Sequence, residues 1–355
     1  MTLLGGTVIA ILGVIFAEHL LLALGLDDDV MHLSLPYVQW MLAGSPLLFI
    51  YIVYTSILRG VGDSKTPLYA STMSIGVGII TTPVLIAGYF GFPKLGTLAP
   101  AIATNLGMFT VLLFLIIYLN KTDHPLKPDL NLIKNIRHHP QLSKIILRLG
   151  IPTGVQMITT SVAGLVIIGL VNRHGADATA AYGAVNQVLN YIQFPALSIA
   201  IAASIFSSLS IGAGKSDLLS KVTKTALSMN FLFTGGLVIL AYLFSKYLMA
   251  LFITDPNVVV LGQQLLFIVL WSILFFGASA IFASIMRASG TVNIPMLINV
   301  FAIVCIEVPT AYLFSDWWGL EGIWYAYALA FVCLCLMQGL YYQFVWKKKT
   351  IQVLI

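Results

Sequence analysis

The chain has 355 residues, of which 59% are hydrophobic and only 9% charged, with a formal net charge of +5. A mean hydropathy of +0.97 with so few charges excludes a soluble globular enzyme, where about a quarter of residues are charged, and excludes disordered or collagen-like chains as well. Cys305, Cys333 and Cys335 all sit in apolar runs, so no disulfide framework or zinc site is suggested.

In chain order, apolar runs predict ten membrane-spanning helices near 3–24, 36–57, 68–90, 98–119, 147–171, 180–211, 226–245, 263–285, 296–315 and 321–345. Each is close to the ~20 residues that cross a ~30 Å hydrocarbon core. The first lacks a basic leader and exceeds the apolar core of a cleavable signal. Turn-forming clusters separate the spans: Asp27-Asp28-Asp29, Gly60-Val61-Gly62-Asp63, Phe92-Pro93-Lys94, Thr254-Asp255-Pro256-Asn257 and Ser315-Asp316. The one long connection, 120–146, carries Lys121, Lys127, Lys134, Arg137 and Lys144 with His138-His139, and is too polar to be embedded. It divides the chain into a first lobe of four spans (1–119), a basic connecting loop (120–146), a second lobe of six spans (147–346) and a tail (347–355).

Basic loops stay on the cytoplasmic side. With the long loop inside, 15 of the 18 basic residues fall inside, and only Lys94, Arg173 and Lys246 fall outside. Both termini are therefore expected in the cytoplasm, and the positive charge is a topology signal, with no sign of a nucleic-acid partner. The short loops suit a bacterial inner (plasma) membrane, the lipid bilayer being the main partner of a chain expected to be monomeric.

The sequence repeats itself. Shifted by 228 positions, residues 12–67 align without a gap onto 240–295. Ser56-Ile57-x-Arg59-x-x-Gly62-x-x-x-x-Pro67 meets Ser284-Ile285-x-Arg287-x-x-Gly290-x-x-x-x-Pro295, and further on Pro83 meets Pro309 and Gly96 meets Gly319. The copies are six spans apart, so both point the same way through the membrane. Parallel repeats imply a pseudo-two-fold axis along the membrane normal, with two bundles facing each other across a cleft, as in rocking transporters. The expected fold is therefore an all-α integral membrane protein of about ten transmembrane helices in two bundles related by a parallel repeat, the first bundle two helices short of the second.

Several segments together resemble the MATE (multidrug and toxic compound extrusion) transporters: Leu58-Arg59-Gly60-Val61-Gly62-Asp63 with Pro67, Leu149-Gly150-Ile151-Pro152, Phe194-Pro195, Gly212-Ala213-Gly214 and Gly319-Leu320-Glu321-Gly322-Ile323-Trp324. The resemblance covers nearly the whole chain. It implies two six-helix lobes that alternate access and export cationic or amphipathic compounds against protons or sodium, with no cofactor beyond the coupling ion. Two departures stand out. The family's first two helices, the first carrying an Asp in proton-coupled members, have no counterpart, and the position of the Glu found in sodium-coupled members is held by Thr160.

The best candidate for ion coupling is Glu307, the one carboxylate deep in any predicted span, about twelve residues into 296–315. A charged group there costs several kcal/mol, so it either stays protonated or holds a cation; the plain alternative is a protonated Glu bonded to a neighbouring helix. Asn186, Gln187, Asn190 and Gln193 lie on one span, with 186, 190 and 193 on one face. They are candidates to line a substrate cleft, or else to hold helices together. Gln156 and Thr160, with Thr159, form a second strip on the preceding span. Arg59 and Arg287, equivalent in the repeat, are expected to anchor helix ends, and Pro195, inside a helix, is expected to kink it as a hinge. Trp40, Phe49, Tyr51 and Tyr54 could stack on a flat cation, though lipid-facing packing accounts for them better.

Gly214-Lys215-Ser216 lacks the upstream glycine and strand of a phosphate-binding loop, Gly60-Val61-Gly62-Asp63 lacks the partner motif of an intramembrane protease, and His138-His139 has no further ligands. No enzyme activity and no metal site are expected. Two other readings compete with antiport: a flippase for a lipid-linked oligosaccharide, which would need basic residues inside the spans, and a truncated membrane protein inactive in transport.

Overall fold

The computed structural model describes residues 2–23, 28–127 and 140–349. Lys134, Arg137 and His138-His139 lie outside the described residues. The chain divides into two units, Met1–Arg137 and His138–Ile355. Among the described residues all regular structure is helical, with nine helices long and apolar enough to cross a membrane and one further pair that together would make a tenth span.

In the first unit, α1 (Thr2–Ala23) packs on α2 (Asp28–Ala43) and α3 (Ser45–Gly60), while α4 (Lys65–Ala87) packs along α5 (Ala99–Lys121). Leu58, Ala70, Val111, Leu115 and Leu119 form the core where α3, α4 and α5 meet. The second predicted span is a broken one: α2 and α3 meet at 43°. Pro46 starts α3, and two neighbours hold the break. Asn105 of α5 donates from Nδ2 to the Trp40 carbonyl at 2.7 Å, and Ser45 Oγ donates to the Gly6 carbonyl of α1 at 3.0 Å. A Cβ on Gly44 would lie 1.7 Å from Asn105 Oδ1, so only glycine admits this plug.

In the second unit, α6 (Pro140–Asn172) and α7 (Ala176–Gly212) precede a span made of α8 (Leu218–Met229), a π-helical turn (Asn230–Thr234) and α9 (Gly235–Leu243). After the short α10 (Ser245–Ala250), α11 (Pro256–Val269) and α12 (Ile273–Ala288) run as one span through a 3-10 turn at Leu270–Ser272. Then α13 (Asn293–Phe301), a second π turn (Ala302–Glu307) and α14 (Val308–Trp318) form the next, and α15 (Leu320–Phe344) the last. One buried face of α7, with Ala181, Val185, Val188 and Ile192, packs with α11, α12 and α15 around Leu266, Leu270, Ile273 and the fully buried Trp324. Large apolar side chains such as Leu165, Phe206, Leu232 and Leu243 stay exposed, as lipid-facing surface requires.

One expectation is corrected. The polar connection does not run as a loop to 146, because α6 begins at Pro140 and is 33 residues long. At ~1.5 Å per residue it is about 50 Å, so its polar first turns overshoot a ~30 Å hydrocarbon layer. Pro195 lies inside α7, which runs as α-helix from Ala176 to Gly212.

The repeat holds in the backbone. Helix starts at 28, 45 and 65 recur at 256, 273 and 293, each 228 positions on. The turns match bond for bond. Gly62 N–H donates to Arg59 O and Asp63 N–H to Leu58 O; Gly290 N–H donates to Arg287 O and Thr291 N–H to Met286 O. This is the Schellman helix ending, whose left-handed residue is Gly62 (φ 90°) in one copy and Gly290 (φ 81°) in the other.

Candidate coupling site

Glu307 closes the π turn. Pro309, two residues on, has no N–H to give the Cys305 carbonyl, and the helix absorbs this by widening: Val308 N–H donates to Ile303 O, five residues back. Thr310 Oγ1 donates to two carbonyls of the same stretch, Ile306 O at 2.6 Å and Glu307 O at 3.3 Å. The span thus carries its carboxylate at an irregular turn, flanked by α6, α13, α14 and α15.

Glu307 is half-buried, and the π turn that carries it packs on α15, the helix of Tyr327. Tyr327 and Tyr182 of α7 share a hydrogen bond between hydroxyls at 3.0 Å. Both rings pack on Trp324, with centroids 5.4 Å from Tyr182 and 5.6 Å from Tyr327. Trp324 is fully buried and its Nε1–H has no partner among the described residues. Two phenols and one free indole N–H therefore meet where α7 and α15 come together. An intramembrane carboxylate such as Glu307 can hold a proton or a cation away from bulk water.

The distances along the helices order these groups by depth. Tyr182 is six residues inside α7 and Tyr327 seven inside α15, about 10 Å from the same end of the bundle. Glu307 is eleven residues from Trp318 at that end, about 16 Å in. At the mouth, His174 Nε2 and Ser315 Oγ are hydrogen-bonded at 2.9 Å, and the Arg173 guanidinium lies 5.8 Å from the Tyr312 ring centroid.

The polar strip of α7 divides. Asn186 is half-buried and donates from Nδ2 to the Tyr182 carbonyl at 3.1 Å, so it touches the aromatic cluster through its own helix. Gln187 is exposed and lines a separate cavity of about 750 Å³ with Asp177, Phe252, Thr254 and Asp255. Asn190 is exposed and Gln193 half-buried. On α6, Gln156 is half-buried, while the exposed Thr160 donates to the Gln156 carbonyl at 3.0 Å and Thr159 to Val155 O at 2.9 Å. These hydroxyls are thereby engaged on their own helix.

Arg59 and Arg287 behave alike. Each Nε donates to the carbonyl four residues back, Thr55 O and Ala283 O, both at 3.2 Å, so each guanidinium caps its helix end. Pro195 lies in a continuous helix, away from any of these contacts. No group of three or more His, Cys, Asp or Glu could hold a metal among the described residues.

Tyr182, Trp324 and Tyr327 are absent from the sequence-level candidates. Their spacing held a signal: Tyr182 is one turn before Asn186, and Trp324 and Tyr327 are one turn apart. Their pairing across about 145 residues of chain did not show.

A family model described as MatE matches residues 1–84 and 152–313. The chain belongs to the MatE family. The Bacillus subtilis "Probable multidrug resistance protein YoeA" is 44% identical over the whole of this chain and 77% of its own length. "Probable multidrug resistance protein YpnP" of the same organism is 27% identical over 94% of this chain and 73% of its own. Among solved structures, that of a point mutant of the Vibrio cholerae MATE transporter VcmN superposes with a TM-score of 0.89, at 17% identity, over 99% of this chain and 78% of that one. At that identity the likeness concerns the fold alone. As a MatE-family member the protein is a multi-pass membrane transporter and not an enzyme.

Proposed function

We propose that this transporter is a secondary antiporter that exports amphipathic, often cationic, compounds from a bacterial cell in exchange for protons or sodium, with Glu307 as the coupling group. In this reading residues 1–119 and 147–346 are lobes that alternate access to the two sides of the inner membrane. Both termini lie in the cytoplasm and a single copy suffices. Asn186 serves the coupling site from the side, while Gln187, Asn190 and Gln193 of α7 and Gln156 and Thr160 of α6 offer neutral polar contacts to substrates. Arg59 and Arg287 hold helix ends, and Pro195 kinks its helix as a hinge.

One observation carries this reading: a carboxylate in a membrane span, at a π turn that packs on α15. Intramembrane acids are expensive and mark ion pathways. The multidrug-resistance names of the relatives support the substrate class. The test is efflux of a fluorescent cationic dye from membrane vesicles under an imposed proton gradient, then a sodium gradient. Glu307→Gln should abolish driven efflux while the protein remains in the membrane at wild-type level, and Glu307→Asp should keep part of it. Undiminished driven efflux by Glu307→Gln would remove the residue from the mechanism.

A further inference from the structure

At one end of the second unit, the α7–α8 turn, the end of α12 and the end of α15 come together around a run of lysines. Lys215, Lys221, Lys224, Lys347, Lys348 and Lys349 are all exposed there, and none makes an ion pair among the described residues. The one carboxylate that lines the same recess is Asp217. Two adjoining cavities, of about 450 and 270 Å³, share Ser220, Tyr342 and Lys347.

The lining changes character with depth. Lys347 and Lys349 with Ser216 and Ser220 form the rim of the larger cavity. Lys224, Thr223 and Gln343 come next in the smaller one, and below them Leu227, Phe282 and Gly339 make an apolar floor. The walls are held rigidly: Tyr342 and Thr223 share a hydroxyl hydrogen bond at 2.7 Å, Trp346 Nε1 donates to Ser289 Oγ at 3.0 Å, and the Tyr342 and Trp346 rings stack. Tyr342 and Trp346 sit at the end of α15, beside Lys347-Lys348-Lys349, where the span passes from hydrocarbon to headgroups.

From this gradient we infer a binding site for an anionic phospholipid of the surrounding bilayer. Its phosphodiester lies among Lys224, Lys347, Lys349 and Ser220, and one acyl chain runs down over Leu227, Phe282 and Gly339. Lysines without a carboxylate partner, Lys349 resting on the Tyr341 hydroxyl at 3.3 Å, supply the charge complementarity, and the apolar floor fits a chain that a free anion lacks. Basic pockets between transmembrane helices at the headgroup level recognise anionic lipids in this way.

The site is tested on the purified full-length protein in neutral detergent, by thermal unfolding titrated with phosphatidylglycerol, phosphatidylcholine or inorganic phosphate. Phosphatidylglycerol should stabilise, and the other two should not. At the usual contribution of each lysine near a charged surface, Lys224→Gln with Lys347→Gln should weaken phosphatidylglycerol binding about thirty-fold. Lys224→Arg with Lys347→Arg should bind like wild type, and Lys246→Gln, on α10, should change nothing. Equal stabilisation by phosphatidylcholine or by inorganic phosphate would overturn the assignment, as would wild-type affinity in the double Gln variant. The lipid comparison on the unmutated protein stands even where the double Gln variant does not fold.

Discussion

The two copies of the internal repeat share one scaffold and differ most at two places. Both end a helix with an Arg bonded to its own backbone and a left-handed glycine, then restart the next helix at the same offset. The first difference is at the break. Gly44 lets the first copy bend by 43° around the Asn105 plug, whereas its counterpart Ser272 is fully buried in a 3-10 turn of a single span, with Oγ on the Val269 carbonyl at 2.6 Å. The second difference lies two residues before the repeated proline. Thr81 precedes Pro83 in an ordinary α-helix and donates to Val77 O at 2.7 Å, while Glu307 precedes Pro309 at a π turn. The shared parts are those that close turns. The divergent parts are where the chain bends and where it carries charge, so a duplicated frame has kept its joints and specialised its interior.

The sharpest way to break this comparison is at the proline-adjacent position. Glu307→Gln makes the second copy as uncharged as the first and should cost gradient-driven efflux entirely, while Thr81→Ser should leave it within a factor of about two, since it keeps a hydroxyl and no ionisable group is involved. Next is the packing of the second copy's last hairpin, where a Cβ at Gly322 would lie 2.0 Å from the backbone oxygen of Phe314. Backbone cannot step aside, so Gly322→Ala should destabilise by about 3 kcal/mol, read as a lowered unfolding temperature in detergent. Gly44→Ala meets the softer Asn105 side chain and should cost less, about 1–2 kcal/mol, with much of the loss recovered by adding Asn105→Ala.

The shared turn makes a prediction of equality. Gly62→Ala and Gly290→Ala each force a Cβ into the left-handed region, with open space around it at Gly62, so the backbone cost should be about 1–2 kcal/mol in both and differ little between them. A large inequality would show that the joints are no longer equivalent.

The smallest effect separates the copies again. Asp63 Oδ1 accepts from the Lys65 and Thr66 amides at 3.0 Å each, and Oδ2 lies 3.7 Å from His124 Nε2, whereas the second copy has Thr291 there. Partial burial pushes the Asp63 carboxyl up, but the hydrogen bonds from the Thr66 hydroxyl and from the Thr66 and Lys65 amides, with the His124 ring, outweigh it and hold it below the usual carboxylate range. A depressed acid contributes stability above its ordinary range and loses it as pH falls through the folded value. Asp63→Ala should therefore cost about 1 kcal/mol at neutral pH and nothing in strong acid, measured by unfolding at both.

Much of the architecture was legible because a bilayer leaves little choice: long apolar runs must be helices, and Arg59-x-x-Gly62 and Arg287-x-x-Gly290 announce the same turn. The start of α6 was hidden because Gln141, Ser143, Lys144 and Arg148 make its first turns polar, and hydropathy sees a helix only inside lipid. The bend at Gly44 depends on Asn105, far along the chain on α5, and no local pattern records it. Pro195 disfavours a helix locally, yet α7 runs on through it while packed along α12. Glu307 was visible as an isolated acid. The Tyr182–Tyr327–Trp324 cluster comes from two helices that only the folded chain brings together.

The π turn at Ala302–Glu307 has a genetic reading as well. Such a turn is an α-helix that has taken in one extra residue, and one residue corresponds to about 100° of rotation. Removing a single codon from this stretch would return the helix to even winding and swing the Glu307 half of the span by that angle against Asn293–Phe301. The direction in which this acid faces is thus set by a three-nucleotide difference, a change a lineage can make or undo in one step while every other span stays as it was.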